Sequence, residues 1–413
     1  MAIESNKKIR NGHIMVMIGC FDTKEVDFEY LYACLVQKGV EVISINTGVF
    51  GETDLFPVNY SAEKVALNGG TKLSEIRKNK DRGSAIDIMG KGAEKIVTDL
   101  VIKGKVSGII GMGGGGGTFI ALKAMTAVPF GIPKICLSTL ATKDLSQKVG
   151  VKDIVLIPTI VDVTGLNKIS TVLISQAAGA LCGMMSTTIQ RSQEVKGSIA
   201  ISVFGNTTIA ADACTRVLKS KGYDVLAFHS VGSGGAAMET LTVDGVFDAI
   251  LDLTTTELAD ELCGGICSSG TDRLTAAGKI GIPQVVVPGC IDMVNFGPLK
   301  TVPEEYKDRQ LFSWAPDVTL MRTNAEENKV LGKIIAEKLN SSKGPVTILL
   351  PLGGVSKIGG IGEIFYAPHI DTVLFDSIRE NCKESVKIVE VNANVNTVLF
   401  AERAVQQLLE LLA

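Results

Sequence analysis

Five consecutive glycines, Gly113 to Gly117, stand between an apolar run, Val106–Ile110, and a helix-like segment, Thr118–Ala127. A strand that enters an all-glycine turn and continues as a helix gathers several backbone N–H groups around one point, and the helix dipole adds positive potential there. Without Cβ atoms the chain can approach an oxyanion closely and adopt positive φ. This is phosphate-binding chemistry. A Walker A loop is excluded, because Gly117 stands where its lysine belongs. Gly111-Met112-Gly113-Gly114-Gly115-Gly116 does satisfy G-x-G-x-x-G, but the next strand, Lys134–Leu137, ends in Ser138-Thr139 where a dinucleotide fold places an acid. NAD is therefore disfavoured, and a nucleotide or other phosphorylated ligand is expected. The plain alternative is a tightly packed turn without a ligand.

The other residues suited to chemistry collect where strand-like runs end. In the first half these are Cys20-Phe21-Asp22-Thr23-Lys24, Thr47-Gly48, the Gly113–Thr118 loop, Ser138-Thr139 and Asp162. Asp22 followed by Glu25 has the spacing of a capping box, so an N-cap is its plain reading. Lys24 in a first helical turn opposes the macrodipole, a conflict that a bound phosphate relieves. In the second half the same edge collects Asn206-Thr207-Thr208, His229, Gly232-Ser233-Gly234-Gly235, Asp252-Leu253-Thr254-Thr255-Thr256-Glu257, Asp272-Arg273 and Asp292. Thr254, Thr255 and Thr256 at a helix start suit an anion, as do Ser233, Gly234 and Gly235, and Arg273 completes a substrate-binding set. His229, Glu257 and Asp272 are the acid–base candidates. Asp252, Glu257, Asp272 and Asp292 could gather around Mg²⁺, although caps and surface charges give the same list.

Strands must carry these residues, and twelve short apolar runs alternate with helical patterns from Ile14–Ile18 to Val386–Val391, Val318–Met321 among them. Such runs between amphipathic segments indicate parallel sheets covered on both faces. At 413 residues the chain is too long for one core. The polar stretch Gln190–Lys196 divides it into residues 1–196, a phosphate-binding α/β domain, and 197–413, a second α/β domain for substrate or regulation. Both halves repeat the plan strand, polar turn, helix, glycine, strand, which suggests duplication. The expected architecture is two doubly wound, mostly parallel, Rossmann-like domains.

A net charge of −3 without a basic run argues against nucleic acid as a partner. Nine scattered cysteines suit reduced thiols in the cytosol, and three histidines exclude a histidine-rich metal site. Met1–Arg10 is polar and charged, unlike a signal peptide. Ile169–Gln190 carries no charge, but its serines, threonines and glutamines fit a buried or subunit-interface helix better than a membrane span.

Taken together, Gly19-Cys20-Phe21-Asp22-Thr23-Lys24, the Gly111–Thr118 loop, Asp252–Glu257 and Pro288–Gly297 resemble the tomato mosaic virus resistance protein-like ATP-binding family, an uncharacterised family of bacteria, archaea, fungi and plants. The resemblance spans essentially the whole chain. It implies two α/β subdomains, a homodimer, and ATP held by the first subdomain through Asp22, Thr23, Lys24, Gly113–Gly117 and Thr118, with Ser138 beside them. This chain departs from the family pattern at Gly115, at Ala236 and at Asn394-Val395-Asn396-Thr397, where polar groups of the second domain are lost. The expectation is a cytosolic, dimeric ATP-binding protein using Mg²⁺, with no reaction assigned. The alternative is a metabolic enzyme whose second domain acts on a small phosphorylated or carboxylated sugar-acid.

Overall fold

A strand with no polar face needs cover on both sides, and β1 (Ile14–Gly19) has none: Met15 and Met17 face one core, Val16 and Ile18 another. The computed structural model describes residues 13–188 and 195–413, and the chain divides into two units, one up to residue 190 and one from residue 191. Met1–Arg10 and most of the Gln190–Lys196 stretch lie outside the described residues.

After β1 the first unit continues through α1 (Glu25–Gln37), β2 (Glu41–Asn46), α2 (Ala62–Asn68), α3 (Leu73–Asn79), α4 (Arg82–Ile102), β3 (Gly108–Gly113) and α5 (Gly115–Met125). It closes with β4 (Lys134–Ser138), α6 (Ser146–Val149), β5 (Ile154–Pro158) and α7 (Lys168–Ser186). The five strands are parallel in the order β2-β1-β3-β4-β5. Helices α1 and α7 cover the face of Met15, Met17, Ile110 and Leu137; α2, α4 and α5 cover that of Val16, Ile18 and Ile109. Helix α7 has the length and composition to cross a membrane. Here it buries Ile174, Ala177, Ala178, Leu181 and Cys182 against the sheet, and its Ser175 hydroxyl lies 2.9 Å from that of Tyr30 on α1.

The second unit repeats the winding. Its elements are β6 (Ser198–Val203), α8 (Thr208–Ser220), β7 (Asp224–His229), α9 (Ser233–Val243), β8 (Ala249–Asp252), α10 (Thr256–Cys263), α11 (Ala276–Ile280) and β9 (Gln284–Val286). Then follow β10 (Met293–Phe296), β11 (Leu311–Ala315), β12 (Val318–Arg322), α12 (Ala325–Asn340), β13 (Val346–Pro351), α13 (Pro368–Asn381), β14 (Val386–Val391) and α14 (Val398–Leu412). The parallel sheet runs β14-β13-β9-β8-β6-β7, so its first five strands in chain order take the same places as those of the first unit. Both units are doubly wound and Rossmann-like, as the alternation of runs indicates. Val318–Met321 departs from that pattern. It is the middle of an antiparallel sheet, β10-β12-β11, because only Pro316 and Asp317 separate it from β11, and so short a link permits only a hairpin.

Helix α4 lies against α2 backbone to backbone. A Cβ at Gly92 would stand 1.9 Å from the Val65 carbonyl oxygen, an atom with no room to yield. Gly92→Ala is expected to destabilise the first unit by about 3 kcal/mol or more, measured by urea unfolding; an unchanged midpoint would show that the two helices can separate freely.

Candidate functional site

The chain leaves β1 for α1 on one face of the sheet and leaves β3 for α5 on the other. Neighbouring strands whose connections diverge leave a crevice at their carboxyl ends. A cleft of about 1000 Å³ fills that place, lined by the β1–α1 loop, Thr47–Phe50 after β2, the glycine run and the corner between α3 and α4. Beside its polar groups stand Ile76, Ile86, Met89 and Ile120, so one wall is apolar.

The glycines form this site differently from the sequence expectation. Gly113 ends β3, Gly114 is the N-cap, and Gly115, Gly116 and Gly117 are already the first turn of α5. None of the five has positive φ. Closeness accounts for two of them: a Cβ on Gly113 would lie 3.0 Å from Gly117 Cα, and one on Gly116 would lie 3.0 Å from Ile86 Cδ1. At Gly115 a Cβ would meet nothing within 4 Å, so this position faces open space. No side chain caps α5, and its first intrahelical N–H bond runs from Thr118 to the Gly114 carbonyl at 2.8 Å. The amides of Gly115, Gly116 and Gly117 precede that bond and are the helix's own anion-binding groups.

Thr118 and Ser138 lie beneath the loop rather than in the cleft. Both are fully buried, their hydroxyls are 2.7 Å apart, and Thr118 also donates to the Gly113 carbonyl at 3.2 Å. They fasten the loop to β4, and Thr139 takes the place at the cleft wall.

Asp22, Thr23 and Lys24 do line the cleft. Asp22 is no N-cap: its Oδ2 accepts from the Phe50 N–H at 2.8 Å, and Lys24 occupies the N-cap position of α1 without a side-chain cap. Gly48 makes this possible, since a Cβ there would overlap the Asp22 carboxyl at 2.2 Å. The other oxygen, Oδ1, is buried without a hydrogen-bond partner among the described residues. Lys24 Nζ donates to the Val163 carbonyl, beside Asp162 at the cleft wall. Nearby, burial pushes the Cys20 thiol up from its ordinary value.

Three cations of the cleft went unread in the sequence: Arg77, Lys80 and Arg82. They belong to the corner where Lys80, at φ +51, ends α3, and Asp81 caps α4 by accepting from Gly83 and Ser84 N–H at 2.9 and 3.2 Å. A signal was available. Arg82, Ala85, Ile86 and Met89 follow the spacing of one helical face, grading from charged to apolar.

The second unit answers the expectations for it with closure. Arg273 is fully buried; Nη2 donates to Asp252 Oδ1 at 2.7 Å and to the Thr254 carbonyl at 3.0 Å, and Nε donates to Glu257 Oε2 at 2.6 Å. Burial opposes its charge, yet Asp252, Glu257 and Glu239 together hold the guanidinium protonated far above its usual range. Glu257 in turn accepts from the N–H groups of Gly232 at 2.8 Å and Gly235 at 3.1 Å. The Gly232–Gly235 loop, with Ser233 and Gly234, is thus an anion site occupied by the protein's own carboxylate. Thr254, Thr255 and Thr256 are fully buried, and the Thr254 hydroxyl lies 2.7 Å from that of Thr207. The four carboxylates suggested for Mg²⁺ do not gather. Asp252 and Glu257 share Arg273, Asp272 pairs with Lys279 on the surface at 3.1 Å, and Asp292 accepts from Ser356 at 2.6 Å. His229 is exposed; its Nδ1 lies 3.0 Å from the Val203 carbonyl, and its backbone packs against Gly234 of the loop.

These contacts fix two expectations for stability. Replacing Arg273 by Met strands Asp252 and Glu257 without a counter-charge, so Arg273→Met should destabilise the second unit by about 3–5 kcal/mol in urea unfolding. A loss under about 1 kcal/mol would return Arg273 to the ligand-binding candidates. Asp260, fully buried, accepts from Asn295 Nδ2 at 2.8 Å and from the Asn295 N–H at 3.0 Å, and burial pushes its carboxyl up to about 7. A raised carboxyl binds its proton more tightly in the folded state, so its stabilising contribution is complete below about pH 4 and is lost as pH rises through about 7. Asp260→Asn should flatten the fall in urea midpoint between about pH 4 and pH 7; an unaltered slope would exclude this carboxyl as its source.

Comparison with known proteins agrees with the two-unit division. A UPF0261 protein of Clostridium tetani (strain Massachusetts / E88) is 44% identical over 408 residues, covering 98% of this chain and 99% of its own. One from Rhizobium meliloti (strain 1021) is 37% identical, covering 94% and 96%. The ToMV resistance protein Tm-1(GCR237) of Solanum lycopersicum is 37% identical over 338 residues, 80% of this chain but 45% of that longer protein. Among solved structures, the Streptomyces sp. SF2575 glycosyltransferase SsfS6, complexed with thymidine diphosphate, aligns over 96% of both chains at 12% identity. Its TM-score of 0.20 is too low to carry an argument. The N-terminal domain of the uncharacterised protein family UPF0261 matches residues 13–190 and its C-terminal domain matches 196–412, and the chain belongs to that family.

Proposed function

We propose that the cleft of the first unit binds ATP. The observation that carries this reading is the uncapped N-terminus of α5, which opens at Gly115 into a cleft of about 1000 Å³ with cations on its rim and an apolar wall. The amides of Gly115, Gly116 and Gly117 would hold phosphate oxygens, Lys24 would offset their charge, and the apolar wall would cover the base. Among the described residues no three metal-ligating side chains cluster. Mg²⁺ would therefore be held by Asp22, through its unpartnered Oδ1, together with phosphate oxygens and water, which is how Mg²⁺ usually binds nucleotides. The same reading places the protein in the cytosol, where nine free cysteines stay reduced, as a homodimer. A sugar-acid site in the second unit has less support, because Arg273, Glu257 and Thr254–Thr256 are buried and engaged with one another.

Calorimetric titration with ATP, with and without Mg²⁺, tests the reading, and Gly115→Asp is the decisive variant. A Cβ at that position meets nothing, so the fold should survive. Its carboxylate would stand among the amides that hold phosphate and should weaken binding by roughly 100-fold or more. A parent that binds no ATP overturns the function; a variant that binds like the parent moves the phosphates elsewhere.

A further inference from the structure

We propose that Arg82, supported by Lys80 and Arg77, reads the terminal phosphates of the ligand, so that the cleft selects nucleoside triphosphates over monophosphates. This deepens the ATP-binding reading and rests on it.

Arg82 Nη2 lies 3.9 Å from where a Cβ of Gly116 would stand, which sets the guanidinium over the first turn of α5. Among the described residues neither Arg82 nor Lys80 has an ion-pair or hydrogen-bond partner for its side chain. Arg77 donates Nε to the Val49 carbonyl and lines the same rim. The amides at the start of α4 cannot take the anion themselves, since Asp81 already accepts from Gly83 and Ser84. What α4 offers the cleft is therefore its exposed guanidinium.

Charge placement points the same way. Lys24, Arg77, Lys80 and Arg82 face three carboxylates, and Asp22, Asp81 and Asp162 each already accept a backbone N–H. Each carboxylate of the cleft thus already serves a backbone N–H, while among the described residues the side chains of two of its cations, Lys80 and Arg82, have no partner. A polyphosphate brings separate anionic groups to the α5 amides and to the corner cations, whereas a monophosphate brings only one. The α4 face continues from Arg82 to Ala85, Ile86 and Met89, with Met89 fully buried. That gradient suits a ligand with a charged head at the mouth and an apolar body along the helix. Arginine suits the reading because its planar fork donates two hydrogen bonds to one phosphate, which lysine cannot do.

The test is calorimetric titration of the full-length protein at fixed Mg²⁺ with ATP, ADP, AMP and inorganic tripolyphosphate, for the parent, Arg82→Gln and Arg82→Lys. The parent should bind ATP more tightly than ADP and ADP more tightly than AMP, and tripolyphosphate should compete with ATP. Arg82→Gln should weaken ATP and tripolyphosphate about 10- to 100-fold and AMP by less than about 3-fold, with Arg82→Lys in between. Equal losses for AMP and ATP, or no loss for either, would overturn the role of Arg82. A parent that binds AMP as tightly as ATP would overturn phosphate selection while leaving the nucleotide site standing. A parent that binds none of the four would instead remove the underlying reading.

Discussion

Parallel strands cannot turn back on themselves, and this constraint organises both halves of the molecule. Each strand must hand its chain to a helix that crosses one face of the sheet. Where neighbouring strands send their helices to opposite faces, nothing in the winding fills the space beyond their carboxyl ends. In the first unit that place lies between β1 and β3, and the glycine run follows β3. In the second unit it lies between β6 and β8, and the Thr254–Glu257 segment follows β8. The same winding has been completed in two opposite ways, one open and one filled.

The filling of the second unit follows from its carboxylates. Asp252 ends a fully buried strand, and Glu257 lies at the start of α10 with no exposed surface. Two buried anions require a counter-charge, and Arg273 supplies it from the segment before α11. Once Glu257 also accepts from Gly232 and Gly235, the amides that start α9 have their anion. Burial raises the Glu257 carboxyl above its ordinary value, which marks the desolvation that Arg273 must offset. The first unit lacks such a residue after its glycines. Thr118, its nearest hydroxyl, turns away to Ser138, so among the described residues no side chain caps the amides of α5.

Much of the fold was legible because its signals are local. The runs Ile14–Ile18, Lys134–Leu137 and Val346–Leu350 became strands with nearly those limits, since β-branched and aliphatic runs between helical patterns have few other ways to be buried. In the insertion β10-β12-β11 only Val318–Met321 was read as a strand, and it was placed in a parallel pattern because β10 and β11, its antiparallel partners, were not read. At the site, Asp22, Thr23, Lys24 and the glycines were read from strand ends, where the winding brings distant loops together. Arg77, Lys80 and Arg82 escaped because they sit at a helix–helix corner, and only the packing of α4 on α5 brings that corner to the loop. The second-unit candidates show the converse. Arg273, Glu257 and the threonines have the residue types of a binding site, and sequence cannot say whether such groups face a ligand or each other.

That ambiguity is physical, since a buried ion network and an anion site use the same groups. What separates them is where the last partner comes from. In the second unit each strong donor near the strand ends finds a carboxylate of its own chain: Arg273 finds Asp252 and Glu257, and the Gly232 and Gly235 amides find Glu257. In the first unit the count stops short. Asp22, Asp81 and Asp162 are turned to backbone N–H groups, the α5 amides have no cap, and Arg82 stands over them without a counter-ion among the described residues. Donors left over at a sheet edge beside a large cleft take their acceptors from solution, and the chain of phosphates we propose would match both amides and guanidinium at once.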